Sequence, residues 1–304
     1  MTYLKRLPRF EYVSPQSLAE VCGLISGTSN DEVMLLAGGT DAILQMRRRE
    51  RVPRRVIGLK GVADLEFVRE QADGSLAIGA MTALQTLLSA PAVGQRYGLL
   101  RETAAQIGGP ELRNAATVGG NIAGALPCAD LPPALMTLGA RIRLSSRRGD
   151  RWVPLEDFFP EFGRTVAEHD ELVAEISLPR PASNSGGTYL KFHDRHSMDM
   201  TVVGVSAFVV LDDDGRTFRE VRLAYANSAP TVFRAKKAES VLRGQALTEE
   251  GLDAVAEAAC AESSPRTSWR ANGEYRRELI RALTKRAIRR ASEKASSSQK
   301  GTKS

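Results

Sequence analysis

Two stretches of bare backbone constrain this chain more than any other feature. They are "LLAGGTDAILQMR" at residues 35–47 and "TVGGNIAGALPCAD" at 117–130, each with two consecutive glycines where the chain must turn. Both are expected to follow apolar strands. Glycine lacks a Cβ, so its backbone N–H can approach a ligand and adopt conformations other residues resist. Successive N–H groups in such a turn form an anion-binding concavity, and the helix start behind it adds a partial positive charge. Thr40 and Thr117 supply hydroxyls beside each turn. One such loop suits one phosphate, and two suit a diphosphate and hence a dinucleotide. Neither loop has the Gly-x-Gly-x-x-Gly of a nicotinamide fold or the Gly-Lys-Ser/Thr of a P-loop. A glycine pair that only turns the chain is the plainer alternative.

With 304 residues the chain can bury a large core, and two or three subdomains are expected. Ser14-Pro15 reads as a helix start, with Leu18, Val21, Cys22 and Ile25 following at helical spacing. "VMLLA" (33–37) and "RRVIGL" (54–59) read as strands, and Thr40 as the cap of a helix over Ala42–Arg48. "LEFVRE" (65–70) and "SLAIGA" (75–80), split by Asp73-Gly74, read as a hairpin. Helices are expected over 83–89, 99–107 and 131–138. This alternation predicts an α/β domain over 1–177, with subdomains at about 1–60 and 61–177. After the linker-like "PRPASNSGG" come three strand-like runs, then helices over 233–243, 249–261 and roughly 274–291. That is an α+β unit over 178–292, a three-stranded sheet plus helices, followed by a disordered basic tail at 293–304.

The net charge of +6 is local: residues 276–304 carry +8, leaving −2 on the rest. No aromatic platform or recognition motif accompanies those cations, so a solvated helix face is expected and no nucleic acid. Cys22, Cys128 and Cys260 are odd in number and far apart. That argues for a reducing compartment, the cytoplasm, and against a disulfide framework, an iron–sulfur cluster or a thiolate zinc site here. No run approaches membrane-spanning length, and "MTYLKRLPRFEYVSP" lacks the apolar stretch of a secretory signal.

The two glycine stretches, the second extended to "LRNAATVGGNIAGALPCADLPPALMTLGA", and "YLKFHDRHSMD" at 189–199 resemble the FAD-binding (medium) subunit of molybdenum hydroxylases. That family includes the carbon monoxide dehydrogenase medium subunit and the xanthine dehydrogenase flavin domain. The resemblance runs to about residue 290 and implies a two-part FAD-binding domain of the vanillyl-alcohol oxidase-like type, then a smaller C-terminal α+β domain. It places Ala37, Gly38, Gly39, Thr40 and Asp41 in a first pyrophosphate loop flanked by Leu35, Leu36 and Ala42. Thr117, Gly119, Gly120 and Asn121 match the second loop, and Asp130 a carboxylate that contacts the cofactor, suited to sugar hydroxyls. Ile107 and Val173 match walls of the isoalloxazine ring, and Lys191 a basic residue near it, where a cation favours reduced flavin. Arg195 and Asp199 match family positions, and an ion pair explains them as well. His193, His196 and Met198 read as loop residues, His169 has no role, and Cys128 reads as a packed thiol. Members with an extra four-iron cluster carry a cysteine-rich insertion that three scattered cysteines do not supply.

The resemblance implies an electron-transfer subunit, with no catalytic side chain or metal ligand of its own. A large molybdenum-cofactor subunit oxidises the substrate, and a small [2Fe–2S] subunit carries the electrons to this FAD. From there they pass to an external acceptor, in a dimer of heterotrimers. Two alternatives stay open: a stand-alone FAD-dependent reductase on the same fold, and a non-catalytic module binding a phosphorylated ligand.

Overall fold

The computed structural model describes residues 5–29, 31–195 and 198–302. It opens with a parallel sheet built from β1 (Glu11–Val13), α1 (Leu18–Ile25), β2 (Val33–Leu36), α2 (Ala42–Arg48) and β3 (Arg55–Gly58), in the order β1-β3-β2. Helix α1 starts later than the Ser14-Pro15 signal suggests. Ser17 is its N-cap, with Oγ accepting from the Glu20 N–H at 3.2 Å, while the Glu20 carboxylate accepts from Gln16 N–H at 2.8 Å. A capping hydroxyl and a glutamate three residues on outcompete proline as the start signal. Cys22 lies in the core against Val21 and Ile25, as its spacing predicts.

The second layer is an antiparallel sheet of β4 (Val68–Glu70), β5 (Leu76–Gly79), β6 (Arg141–Ser146), β7 (Gly149–Pro154) and β8 (Leu172–Leu178), in the order β4-β5-β8-β6-β7. The expected hairpin is β4–β5. Between β5 and β6 runs a set of short helices: α3 (Leu84–Ser89), α4 (Pro91–Arg96), α5 (Gly98–Ala105), α6 (Pro110–Ala115), α7 (Val118–Ala123) and α8 (Leu131–Thr137). Every residue of α8 is buried.

The third layer is an antiparallel sheet of β9 (Ser185–Phe192), β10 (Val203–Leu211), β11 (Phe218–Ala226) and the short β12 (Phe233–Arg234), in the order β12-β11-β10-β9. Helices α9 (Lys236–Leu242), α10 (Glu249–Glu262) and α11 (Gly273–Thr302) follow. The expected helix from 233 thus begins as a strand, because Phe233 pairs with Tyr225 and stacks on its ring at 5.4 Å. All nine residues of β10 are buried, which is why it reads as an uninterrupted apolar run. Val203, Val205, Ala207, Val209 and Leu211 face the C-terminal helices, while Phe208 and Val210 join the core under α5 and α8. The C-terminal sheet therefore shares a core with the layer before it.

Helix α11 runs to Thr302, so the tail expected to be disordered from residue 293 is helical there, and Ala291 and Ala295 are fully buried. Its cations face α10 in an antiparallel ladder: Arg281 with Glu257 at 2.7 Å, Lys285 with Asp253, and Arg289 with Glu249. Much of the C-terminal charge excess is thus matched inside the fold. Among the described residues no helix is long and apolar enough to cross a membrane.

Candidate functional site

The first glycine pair leaves the C-terminal end of β2, where ligands gather in parallel α/β sheets. Gly39 has φ +73°, a left-handed conformation that a side chain resists. Asp41, not Thr40, stands at the N-cap of α2, and its side chain caps nothing. Among the described hydrogen bonds none uses the N–H of Gly38, Gly39, Thr40 or Asp41 as donor. Desolvation raises the Asp41 carboxyl above the usual aspartate range.

The second pair does not follow a strand. It lies within α7, behind α6, and Thr117 is the N-cap, accepting from the Gly120 N–H at 3.1 Å. Two close approaches explain the glycines here. A Cβ on Gly119 would stand 2.5 Å from the Ala80 Cβ, so α7 lies directly on the end of β5. A Cβ on Gly38 would stand 1.8 Å from the Ala115 carbonyl oxygen, so the first loop is pressed against the entry to α7. Gly120 faces the first loop too, its missing Cβ 3.7 Å from that of Ala37. The bare backbone is spent partly on bringing the two segments together.

Between them lies a cavity of about 370 Å³. Leu35, Ala37, Gly38, Gly39, Thr40, Asp41 and Ala42 line one side, and Thr117, Gly119, Gly120 and Asn121 the other. Val173, at the start of β8, closes a third wall. The Asn121 Oδ1 is buried there without a hydrogen-bond partner. Such an atom is costly unless something fills it. The N–H groups of the first loop, not this acceptor oxygen, give the cavity donors suited to a diphosphate-bearing ligand, and its size falls in the range of small-molecule pockets. His169, assigned no role from sequence, also lines the cavity, as do Gln45, Arg51 and Glu171. Their polar surroundings carried no motif. Glu171 is held ionised by Arg151, which donates to both its oxygens at 2.7 Å.

The other four expected residues do not line this cavity. Leu36 lies in β2, packed near Met46 and Val56. Ile107 is buried beyond α5. Asp130 and Lys191 meet in a separate buried cluster, Nζ to Oδ2 at 2.9 Å, with side chains only 8% and 5% exposed. Asp130 Oδ1 accepts from the Tyr189 hydroxyl at 2.7 Å and from Thr201 Oγ1 at 2.5 Å. A carboxylate offers about four acceptor sites, so a sugar hydroxyl would be at most a fourth donor. In this structure Asp130 holds Lys191, Tyr189 and Thr201, and one acceptor site is left for a further donor. Tyr189 and Thr201 carried no sequence signal, since a hydroxyl on a buried strand, or in the loop just before one, looks like any other residue there. Burial, and next the Asp130 charge, push the Tyr189 phenol well above its usual pKa, so it remains a donor. Lys191 also approaches the Gln106 carbonyl at 3.5 Å, next to Ile107. The cluster joins the head of α8 to β9 and β10, and Asn227 reinforces the seam, donating to Pro127 O at 2.6 Å and Thr201 O at 2.7 Å.

Cys128 beside this cluster is a packed thiol whose pKa is raised by burial and then by Asp130. Arg195 and Asp199 form the ion pair at 3.3 Å, and Asp199 also accepts from the N–H groups of Asp194, Arg195 and Met200 at 2.8–3.0 Å. Burial opposes ionisation of Asp199, but the Arg195 and Met200 N–H groups and the guanidinium outweigh it, bringing its pKa down to about 2. His193 closes onto the Arg195 carbonyl, while His196 lies outside the described residues.

Comparison with known proteins agrees with this layout. Residues 8–181 match the FAD binding domain in molybdopterin dehydrogenase, and 188–291 the CO dehydrogenase flavoprotein C-terminal domain. The carbon monoxide dehydrogenase medium chain of Hydrogenophaga pseudoflava is 34% identical over 93% of this chain and 97% of its own length. The xanthine dehydrogenase FAD-binding subunit of Escherichia coli O157:H7 is 33% identical over 92% and 95%. The solved carbon monoxide dehydrogenase of H. pseudoflava superposes with a TM-score of 0.90 at 34% identity, covering 94% of this chain and 98% of that one. Quinoline 2-oxidoreductase of Pseudomonas putida 86 gives a TM-score of 0.89 at 26% identity, covering 96% and 99%. Both halves of the fold are accounted for in sequence and in shape, so the chain belongs to the FAD-binding subunits of the molybdenum-containing dehydrogenases.

Proposed function

We propose that this chain is the FAD-binding electron-transfer subunit of a heterotrimeric molybdenum hydroxylase. Electrons reach it from the iron–sulfur clusters of a small subunit, after oxidation of substrate on a large molybdenum subunit, and leave to an external acceptor. The observation that carries the reading is the cavity where the two glycine segments meet, beside Gly38–Asp41 N–H groups that donate to nothing among the described hydrogen bonds. The N–H groups of Ala37–Asp41 and the Thr117–Asn121 turn hold the diphosphate there, flanked by Leu35, Leu36 and Ala42, with Val173 as a wall. Ile107, Lys191 and Asp130 stand at the ring end. Bound FAD supplies the one chemistry the side chains lack, taking electrons singly and giving them up as a pair.

The protein's own part at the ring end is electrostatic. Lys191 does not act as a bare cation, because Asp130 lies 2.9 Å from it, so the pair presents a dipole whose net charge is close to zero. Asp130→Asn would unmask the lysine and raise the flavin potential, and Lys191→Met would unmask the carboxylate and lower it. The same reading places the complex in the cytoplasm, in keeping with the free Cys22, Cys128 and Cys260, and assembles it as a dimer of heterotrimers.

The test is a single turnover of the co-expressed complex under anaerobic conditions. Substrate should bleach the flavin absorbance after the iron–sulfur clusters are reduced, and a complex lacking this chain should keep its clusters reduced when acceptor is added. Flavin bleached by a nicotinamide donor with no partner present, and not by the reduced clusters, would point to the stand-alone reductase instead.

A further inference from the structure

Two short basic runs meet on one face of the first layer. Residues 5–9 hold Lys5, Arg6 and Arg9, and residues 47–54 hold five arginines against Glu50 alone. The fold lays them side by side. The Lys5 N–H donates to Arg47 O at 3.1 Å, Arg47 Nε donates to Lys5 O at 3.2 Å, and the Glu11 N–H donates to Arg54 O at 2.8 Å. Together the runs carry +7, more than the +6 of the whole chain.

Little inside the fold answers that charge. Arg48 reaches Glu50 at 3.8 Å, but Arg6, Arg9, Arg49 and Arg54, all exposed, have no carboxylate partner among the described ion pairs. Acids in the adjoining segments are engaged elsewhere: Glu11 by Arg55 at 2.8 Å, and Glu32 by the Ser29 N–H and hydroxyl at 3.1 and 3.0 Å. The dipole of α2 accounts for cations in its own last turn, Arg47 and Arg48, and not for those on residues 5–9 or 51–54. Held together, like charges oppose folding, and their shared effect is a positive field in the solvent before them.

That field lies at the flavin cavity. The Glu50 N–H donates to Gln45 O at 3.0 Å and turns the chain back along α2, and both Gln45 and Arg51 line the cavity. Helix α2 spans seven residues, so its basic end lies about 10 Å from the glycine loop at its start. That is about one Debye length at 0.1 M salt, close enough for the cations to act on charge arriving at the loop.

We infer that this face steers the dianionic diphosphate of FAD into the cavity and sets how fast the flavin loads. It rests on the FAD reading above and adds how the cofactor arrives. Steering acts through solvent and leaves the face uncovered. Exposed charges outside a contact change association and its salt dependence far more than dissociation, so the outer cations serve capture and leave the holding to the cavity wall.

The experiment follows FAD binding to the full flavin-free chain by stopped-flow fluorescence, at salt from about 0.01 M to about 1 M. The wild type is compared with Arg6→Gln/Arg9→Gln/Arg48→Gln/Arg54→Gln, none of whose positions lines the cavity, and with lysine at the same positions. The wild-type association rate should fall by about tenfold or more across that range, the low end of electrostatic steering. The glutamine variant should associate about tenfold more slowly at low salt and match the wild type at high salt, with its dissociation rate unchanged. The lysine variant keeps the charge and should associate like the wild type, which separates charge from damage to the fold. A wild-type association rate that ignores salt, or a glutamine variant as fast as the wild type at low salt, would overturn the proposal. So would a lysine variant as slow as the glutamine one. A wild-type chain that takes up no FAD at any salt would refute the FAD reading itself, and this proposal with it.

Discussion

Removing either member of the Asp130–Lys191 pair tests how the two halves of the molecule are joined. Both side chains are less than a tenth exposed, so neither can turn to water when its partner goes. Breaking such a pair costs about 3–5 kcal/mol, because a buried charge is left uncompensated. The two members are not equivalent. In Lys191→Met the carboxylate keeps the Tyr189 and Thr201 hydroxyls, and hydrogen bonds to a charged group contribute about 1.5–3 kcal/mol each. The loss should therefore lie near 3 kcal/mol. Asp130→Ala strands the ammonium and both hydroxyls at once and should reach the upper end, about 5 kcal/mol. Tyr189→Phe removes one donor and should cost about 1.5–3 kcal/mol. Urea unfolding of the flavin-free chain, with the slope held constant, gives these differences. The double variant Asp130→Ala/Lys191→Met should be less damaged than the two singles summed, by about 0.5–3 kcal/mol. Strict additivity, or a Lys191→Met loss larger than that of Asp130→Ala, would refute the arrangement.

Other substitutions probe the loops and the acid limit. Gly38→Ala forces a methyl against the Ala115 carbonyl and should destabilise by about 1–3 kcal/mol by calorimetry, more than Gly120→Ala, whose new methyl meets the Thr117 hydroxyl at 2.9 Å and the Ala37 Cβ at an ordinary 3.7 Å. Asp41→Asn removes a carboxylate that caps nothing and whose pKa is raised in the fold, so the variant should be the more stable at pH 7. That advantage should shrink as the pH falls and wild-type Asp41 takes up its proton, and paired unfolding curves would show it. Asp199 and Asp214 both sit at about 2, below the ordinary aspartate value of about 3.9. Their contribution is complete above the ordinary value and lost as pH falls through about 2, so exchange of the Asp194, Arg195 and Met200 amides and of the 212–217 loop should accelerate across that window.

What could be read in advance follows from how local each signal is. Strand β10 announced itself because both of its faces are buried, leaving no polar alternation to interpret. The first glycine loop was legible because the strand, the turn and the helix lie consecutively in the chain. The second was expected to follow a strand and lies instead within α7: its glycines serve close packing of α7 on β5 and on the first loop, contacts that sequence spacing does not encode. Helices α4 and α6 span six residues each and bury one residue and none, so no apolar stripe shows in them. The helical tail was hidden by its serine and lysine content, although alanines at 287, 291 and 295 lie one turn apart on the buried face. Tyr189 and Thr201 meet Asp130 only after β9 and β10 are laid beside α8. No local pattern could have joined them.

The central claim is that the two glycine segments together hold a diphosphate. Titrating FAD into the purified chain, with flavin fluorescence as readout, addresses it most directly, with Gly120→Asp as the comparison. That variant sets a carboxylate between Thr117 Oγ1 and Ala37, where the two segments face each other. Saturable one-to-one binding by the wild type, lost in a folded Gly120→Asp chain, is the predicted result. A folded wild-type chain that takes up no FAD with its partner subunits present, or a Gly120→Asp chain that binds it equally well, would contradict the account.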